Sequence, residues 1–233
     1  MLLEARGLGL RRGRERVLDD VSFDVAEGSL VGVIGPNGAG KTSLLEAIAG
    51  FLPIEAGELR FAGRPVPGPA PRGELFYLAD GIRPCPEHRA GDMLELFRAA
   101  FDQPPSRVDE VGAALGLNGS AGKRVKDLSK GFAKRWLLAA AFMSRARLLL
   151  LDEPLDGLDL RQVMALRPLL ERLRREGRTL ILSIHELSLA ESLCETFLLL
   201  SGGKVLAQGD LPALRKRAGL SGGGLADVFL ALP

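Results

Sequence analysis

Residues 35–42 read Gly35-Pro36-Asn37-Gly38-Ala39-Gly40-Lys41-Thr42 and fit the pattern G-x-x-x-x-G-K-[ST]. Ahead of this octapeptide runs the apolar stretch Ser29-Leu30-Val31-Gly32-Val33-Ile34. Behind it, Ser43-Leu44-Leu45-Glu46-Ala47-Ile48-Ala49 has helical character. A strand, a glycine-rich loop and a helix N-terminus in that order form a cradle for nucleotide phosphates. The glycines let the backbone close around a β-phosphate with its N–H groups pointing inward. Lys41 is placed to reach the β- and γ-phosphates, and Thr42 to set its hydroxyl on Mg²⁺. The expected nucleotide contacts therefore run from Gly35 through Ser43.

The flanking sequence supplies an α/β frame. Val17 to Val25 alternates like a strand and turns through Glu27-Gly28 into the strand that feeds the loop. Gly57 to Gly63 reads as a short strand, Arg64 to Arg72 as a Pro- and Gly-rich loop, and Leu75 to Ala79 as a strand. From Glu87 to about Asn118 the apolar spacing becomes helical, interrupted by Pro104-Pro105, which indicates a helical insertion. Lys134 to Arg145 then reads as helix and Arg147 to Asp152 as a buried strand. Leu160 to Arg175 is an amphipathic helix stopped by Gly177, and Thr179 to Ile184 is another buried strand. Thr196 to Leu200 and Lys204 to Ala207 form a hairpin around Ser201-Gly202-Gly203. Gly219 to Gly224 is a flexible stretch before a last helical turn. Uninterrupted apolar strands alternating with helices predict a mainly parallel sheet covered on both faces.

Composition narrows the class. The 233 residues suit one large domain, or a domain with a subdomain. Thirty-one basic against twenty-nine acidic residues leave a charge of +2, which predicts no nucleic-acid partner. Cys85 and Cys194 read as ordinary cytosolic thiols, and His88 and His185, the only histidines, leave no expected transition-metal cluster. The longest apolar run, Trp136 to Ser144, lies between Arg135 and Arg145 and falls short of the ~20 residues that cross a bilayer. The N-terminus lacks the shape of a signal peptide. The expectation is a soluble, intracellular chain whose membrane role, if any, comes through a partner.

A second set of residues belongs with the loop. Asp152 and Glu153 end the strand Arg147 to Asp152, where parallel sheets place ligands. An Asp there can hold the Mg²⁺ shell, and the Glu beside it can polarise a water in line with a γ-phosphate. Ser129 and Gly131, at the start of a helix, can bind a further anion. His185 also follows a strand at its carboxyl end.

In this order the motifs resemble the ATP-binding subunit of ABC transporters, over nearly the whole chain. Gly35 to Thr42 resembles the Walker A loop, Leu148 to Pro154 Walker B, and Leu128 to Phe132 (LSKGF) the LSGGQ signature. Leu155 to Asp159 resembles the D-loop and His185 the switch histidine. The resemblance implies a P-loop NTPase core with an N-terminal antiparallel β subdomain and a helical subdomain. The core would be about 1–80 and 131–233 of a single domain, with the helical part about 81–130. It implies ATP and Mg²⁺ as cofactors, with Glu153 as general base and His185 on the γ-phosphate. It also implies a head-to-tail dimer with a second copy or a related ATPase subunit, in which Ser129 and Gly131 complete the partner's ATP site. Integral membrane permease subunits would be driven by it, from a cytoplasmic position on the inner face of the membrane.

Three positions depart from the family. Asp80 stands where a glutamine is expected, and can approach Mg²⁺ but cannot donate as an amide does. Arg12 stands near where an aromatic residue stacks on adenine; a guanidinium also stacks on a base. Lys130 and Phe132 replace the first Gly and the Gln of the signature. With Lys41, Asp152, Glu153 and His185 in place, an active ATPase is expected. The brevity of the chain after the Ser201-Gly202-Gly203 hairpin makes it resemble ABC-2-type or simple exporter subunits. The alternatives are a soluble ABC ATPase of an assembly or repair complex, and a nucleotide-binding regulator without turnover.

Overall fold

The structure, a computed structural model, describes residues 1–66, 73–117 and 119–232. Strands β1 (Leu3–Arg12) and β2 (Glu15–Val25) pair antiparallel across the turn at Gly13-Arg14. β3 (Leu30–Ile34) leads through the glycine-rich loop into α1 (Lys41–Ala49). β4 (Ala56–Phe61) returns to the far side of β1, and β5 (Arg64–Pro65) completes an antiparallel sheet of order β2-β1-β4-β5.

β6 (Leu75–Leu78) begins the second half of the larger sheet, and α2 (Ala90–Ala100) and α3 (Pro105–Ala114) follow it. Then come α4 (Lys130–Met143), β7 (Leu148–Leu151), α5 (Leu160–Arg175), β8 (Thr179–Ile184) and α6 (Leu187–Leu193). The hairpin β9 (Thr196–Ser201) and β10 (Lys204–Gly209), with α7 (Leu211–Arg217) and α8 (Leu225–Ala231), ends the chain. The larger sheet runs β10-β9-β3-β8-β7-β6, parallel throughout except for β10.

Every residue of β3, β7 and β8 is buried, which explains their unbroken apolar runs. The two-residue alternation divides them between two cores. Leu30, Ile34, Leu149, Leu151, Leu180 and Leu182 join α4, α5 and α6 on one face. Val31, Val33, Leu148, Leu150 and Ile181 join α1 and the antiparallel sheet on the other. Trp136 and Phe142 of α4, each under 2% exposed, contribute about 2–3 kcal/mol apiece by burial.

The fold class is as expected, with differences at the edges of elements. α4 starts at Lys130 instead of Lys134, because the Ser129 hydroxyl caps it by accepting the Phe132 N–H at 3.2 Å. The helical stretch expected over 87–118 begins only at Ala90. Pro105 takes the first turn of α3, where its missing N–H costs nothing. β5 occupies the first two residues of the expected loop Arg64 to Arg72; residues 67–72 of that loop lie outside the described residues, as does Asn118. β1, α6 and α7 were not anticipated.

Opposite the carboxyl ends of the strands, a cavity of about 540 Å³ opens beside Arg147 and Arg178, which precede β7 and β8. An ion network lines it. Arg107 of α3 pairs with Glu176 at 2.6 Å and with Glu110 at 2.9 Å, while Arg172 of α5 pairs with Glu110 at 2.8 Å. Arg178 donates to the carbonyls of Ala141 and Phe142 in the last turn of α4 and to that of Ala146 beyond it, and burial pushes its guanidinium down to about 10. These contacts tie α3 and α4 to the sheet.

Candidate functional site

The loop after β3 is held from outside by two backbones. A Cβ on Gly35 would sit 2.2 Å from the Leu200 carbonyl oxygen, and one on Gly40, at φ +100°, 2.8 Å from that of Val17. The Gly203 N–H in the β9–β10 turn donates to the Ala39 carbonyl at 3.2 Å. No side chain fits at Gly35 or Gly40, so the loop lies close against its supports; within it the Ala39 N–H donates to the Pro36 carbonyl at 3.1 Å. Gly38, at φ +81°, faces open space. Pro36, Asn37 and Thr42 are exposed, while Ala39 and Ser43 are buried.

Lys41 is 7% exposed, and its ammonium donates to the carbonyls of Gly35 at 2.8 Å and Pro36 at 3.2 Å. The nearest carboxylate oxygen is Glu153 Oε1, 3.8 Å away. The buried charge is thus positioned by neutral oxygens and leaned on by a single carboxylate.

At the end of β7, Asp152 is 1% exposed. Its Oδ1 accepts the Ser183 hydroxyl at 2.5 Å, and the same oxygen of Ser183 accepts the Glu153 N–H at 2.7 Å. Asp152 Oδ2 is buried with no hydrogen-bond partner. Glu153 adopts φ +48°, a left-handed conformation that costs a residue with a side chain about 1–3 kcal/mol. This reversal turns its carboxylate toward the loop and toward His185. His185 Nδ1 lies 2.7 Å from Glu153 Oε2 and 3.4 Å from Asp156 Oδ1. The hydrogen bond to Glu153 raises the imidazole pKa above its ordinary value; burial and Lys41 oppose, and the Asp156 charge adds.

The structure therefore brings Lys41, Glu153 and His185 together, with Asp152 behind them. Other expected residues lie apart. Ser129 is exposed and caps its own helix, and a Cβ on Gly131 would meet the Gly157 carbonyl oxygen at 2.7 Å. Asp80 pairs with Lys134 of α4 at 3.2 Å. Arg12 pairs with Glu46 of α1. Glu153, Asp156 and His185 offer ligand atoms within 4.8 Å of one another, two carboxylates around one imidazole. The spacing is that of a hydrogen-bonded set.

The residues fit a nucleotide with a divalent cation. An unbonded, buried carboxylate oxygen at Asp152 is a hard oxygen donor whose capacity a cation would meet. A glycine loop pressed against its supports at Gly35 and Gly40, with the buried Lys41 ammonium beside it, suits phosphate oxygens.

Ser183 and Asp156 were not anticipated. Ser183 is a lone hydroxyl inside the apolar run Thr179 to Ile184, and that polarity was its only signal. Ser183→Ala leaves Asp152 without its donor and the Glu153 N–H without its acceptor. The expected result is a protein that still folds but needs about 10–100 times more Mg²⁺ for half-maximal turnover. A magnesium titration of ATPase rate checks this, and an unchanged midpoint would contradict the role.

The family profile described as ABC transporter matches residues 18–156. Over 217 residues the chain is 31% identical to the Nod factor export ATP-binding protein I of Ralstonia nicotianae, covering 89% of this chain and 67% of that protein. It is 36% identical to the Fe(3+) ions import ATP-binding protein FbpC of Streptomyces coelicolor, covering 89% of this chain and 62% of that one. The chain thus spans about two thirds of the length of these relatives. A solved structure of the ATP binding subunit of an ABC transporter superposes with a TM-score of 0.85 at 27% identity, covering 99% of this chain and 98% of that one. A dimeric post-hydrolysis ATP-binding cassette bound to ADP and Pi shares the fold at TM-score 0.77 and 21% identity, covering 90% of this chain and 98% of that one.

Proposed function

Because this chain belongs to the ABC transporter family, whose ATP-binding domains are ATPases, we propose that it hydrolyses ATP to drive a separate membrane-spanning permease. The observation that supports this best is the convergence of Lys41 and His185 on the Glu153 carboxylate, beside the phosphate loop. In this reading Lys41 and the loop from Gly35 to Ser43 hold the triphosphate, with Arg12 on the base. Glu153 takes the proton of a water attacking the γ-phosphate, and the bond to the β-phosphate oxygen breaks with ADP leaving. His185 orients that water and the γ-phosphate. Bound Mg²⁺, held by Thr42 and Asp152, would supply charge neutralisation across the β- and γ-phosphates. Asp80 would reach that shell once Lys134 releases it.

The signature residues act in trans. Ser129 is exposed, and its helix start packs on Gly157, not on its own phosphate loop. A second copy, or a related ATPase subunit, placed head to tail would present Ser129 and the Gly131 amide to the γ-phosphate. About residues 81–130 would form the helical subdomain, and about 1–80 with 131–233 the core, of one ATPase domain. No helix among the described residues is long and apolar enough to cross a membrane, which favours docking on a separate permease at the inner face of the cell membrane. The relatives are named for export and for import, and a drive unit of this kind serves either.

Purification of the tagged chain from detergent-solubilised membranes tests the partner. The expected result is recovery of an integral membrane protein in stoichiometric amount. Recovery only from the soluble fraction, with soluble partners, would favour the ATPase of an assembly or repair complex.

A further inference from the structure

Glu153 is poorly placed to act as a base while it is held as it is here. One carboxylate oxygen accepts from the His185 ring at 2.7 Å and the other lies 3.8 Å from the Lys41 ammonium. With one oxygen taken by the ring N–H and the other facing the ammonium, fewer of its lone pairs stand open to a water. For Glu153 to accept a proton from water through the first oxygen, the imidazole must let go of it; His185 is 54% exposed, so the freed N–H turns to water or to the nearest other protein acceptor.

An acceptor is already at hand. Asp156 Oδ1 lies 3.4 Å from the same Nδ1 atom, in the turn that leaves β7. The turn is shaped for this approach by Glu153 at φ +48° and by Gly157 at φ +79°. The Asp156 N–H donates to the Glu153 carbonyl at 3.3 Å, so the two side chains are carried on one tight bend. Asp156 is 45% exposed and has no other salt-bridge partner among the described residues. The remaining charged groups around the ring are Lys41, from the start of α1, and Glu186, which lines the same cleft. The Glu186 carboxylate accepts the Ser188 hydroxyl at 3.0 Å.

We propose that Asp156 is a positioning residue for His185: it offers the ring N–H a second carboxylate, so that the imidazole passes from Glu153 to Asp156 and leaves Glu153 free to act as base. The hand-over needs no proton transfer, since Nδ1 keeps its hydrogen and only the acceptor changes. It rests on the ATPase reading for its purpose, but the Asp156–His185 approach at 3.4 Å is a feature of the chain by itself and can be tested without nucleotide.

Asp156→Asn tests both parts. With two histidines in the chain, the imidazole signals in an NMR pH titration number two, and His88, exposed and remote in sequence, serves as the internal control. Two carboxylates favour the imidazolium, so removing one charge is expected to move the His185 midpoint to lower pH and leave His88 in place. In turnover, kcat is expected to fall roughly fivefold to twentyfold with KM for ATP changed less than about twofold, and Asp156→Glu to restore most of it. A His185 midpoint that stays put in Asp156→Asn, or a kcat equal to wild type, would overturn the proposal. Failure of the ATPase reading itself shows elsewhere, as turnover that survives loss of the Glu153 carboxylate.

Discussion

Glu153→Gln should lower ATP turnover by about a hundredfold or more while ATP affinity stays within about threefold of wild type. The amide keeps the size of the carboxylate and can still meet His185 at the 2.7 Å separation, so the cleft need not repack. What is lost is the carboxylate beside the phosphate loop that would take the proton from water. Removing a negative charge 3.8 Å from Lys41 should, if anything, improve the hold on a triphosphate. The same substitution should trap the ATP-bound state, so the variant is expected to sediment as a dimer with ATP and as a monomer without it. Steady-state hydrolysis and sedimentation velocity check the two halves. Wild-type turnover in the variant would remove Glu153 as the base, and a variant that binds ATP but stays monomeric would argue against a site completed by a second copy.

Much of this site could be read from the chain because its geometry is local. Gly35 to Thr42 carries its own structure: a buried strand, glycines at positions where a Cβ has no room, and a helix that starts on Lys41. Asp152 and Glu153 likewise stand at the end of a four-leucine strand, which parallel β topology converts into a position at the ligand edge. Ser183 and Asp156 were hidden for a different reason. Their roles arise from neighbours on other segments: β8 lies beside β7 in register, with Leu151 opposite Leu182, which brings Ser183 next to Asp152. A backbone reversal at Glu153 then brings Asp156 to His185, and nothing in the composition of that turn specifies a left-handed glutamate. Element boundaries failed where capping decided them. Ser129 read as an anion site and is also the N-cap that starts α4 four residues early. β1 escaped notice because its arginines and glycines break the apolar pattern, although it pairs on both sides.

The same locality makes the phosphate loop fragile at one glycine and tolerant at another. Gly35→Ala should destabilise the fold by about 3–4 kcal/mol and lower the melting temperature by roughly 10 °C. The new methyl would meet the Leu200 carbonyl oxygen at 2.2 Å and the Ala39 methyl at 2.9 Å. Neither is the end of a flexible side chain. Leu200 sits in β9, paired with Val205 of β10, and Leu199 beside it is in register with Ile34 of β3. Relief of the clash therefore means parting β3 from β9 or lifting the loop off its support, and the second would also spread the amides that cradle phosphate. Gly38→Ala provides the comparison, because its methyl would face open space and only the backbone at φ +81° resists it. That substitution should cost about 1–2 kcal/mol, roughly 5 °C or less. Thermal denaturation without nucleotide separates the two, since neither effect depends on turnover. Equal melting temperatures for the two variants would mean that the loop is held by backbone conformation alone, and that its close approach to β9 contributes nothing.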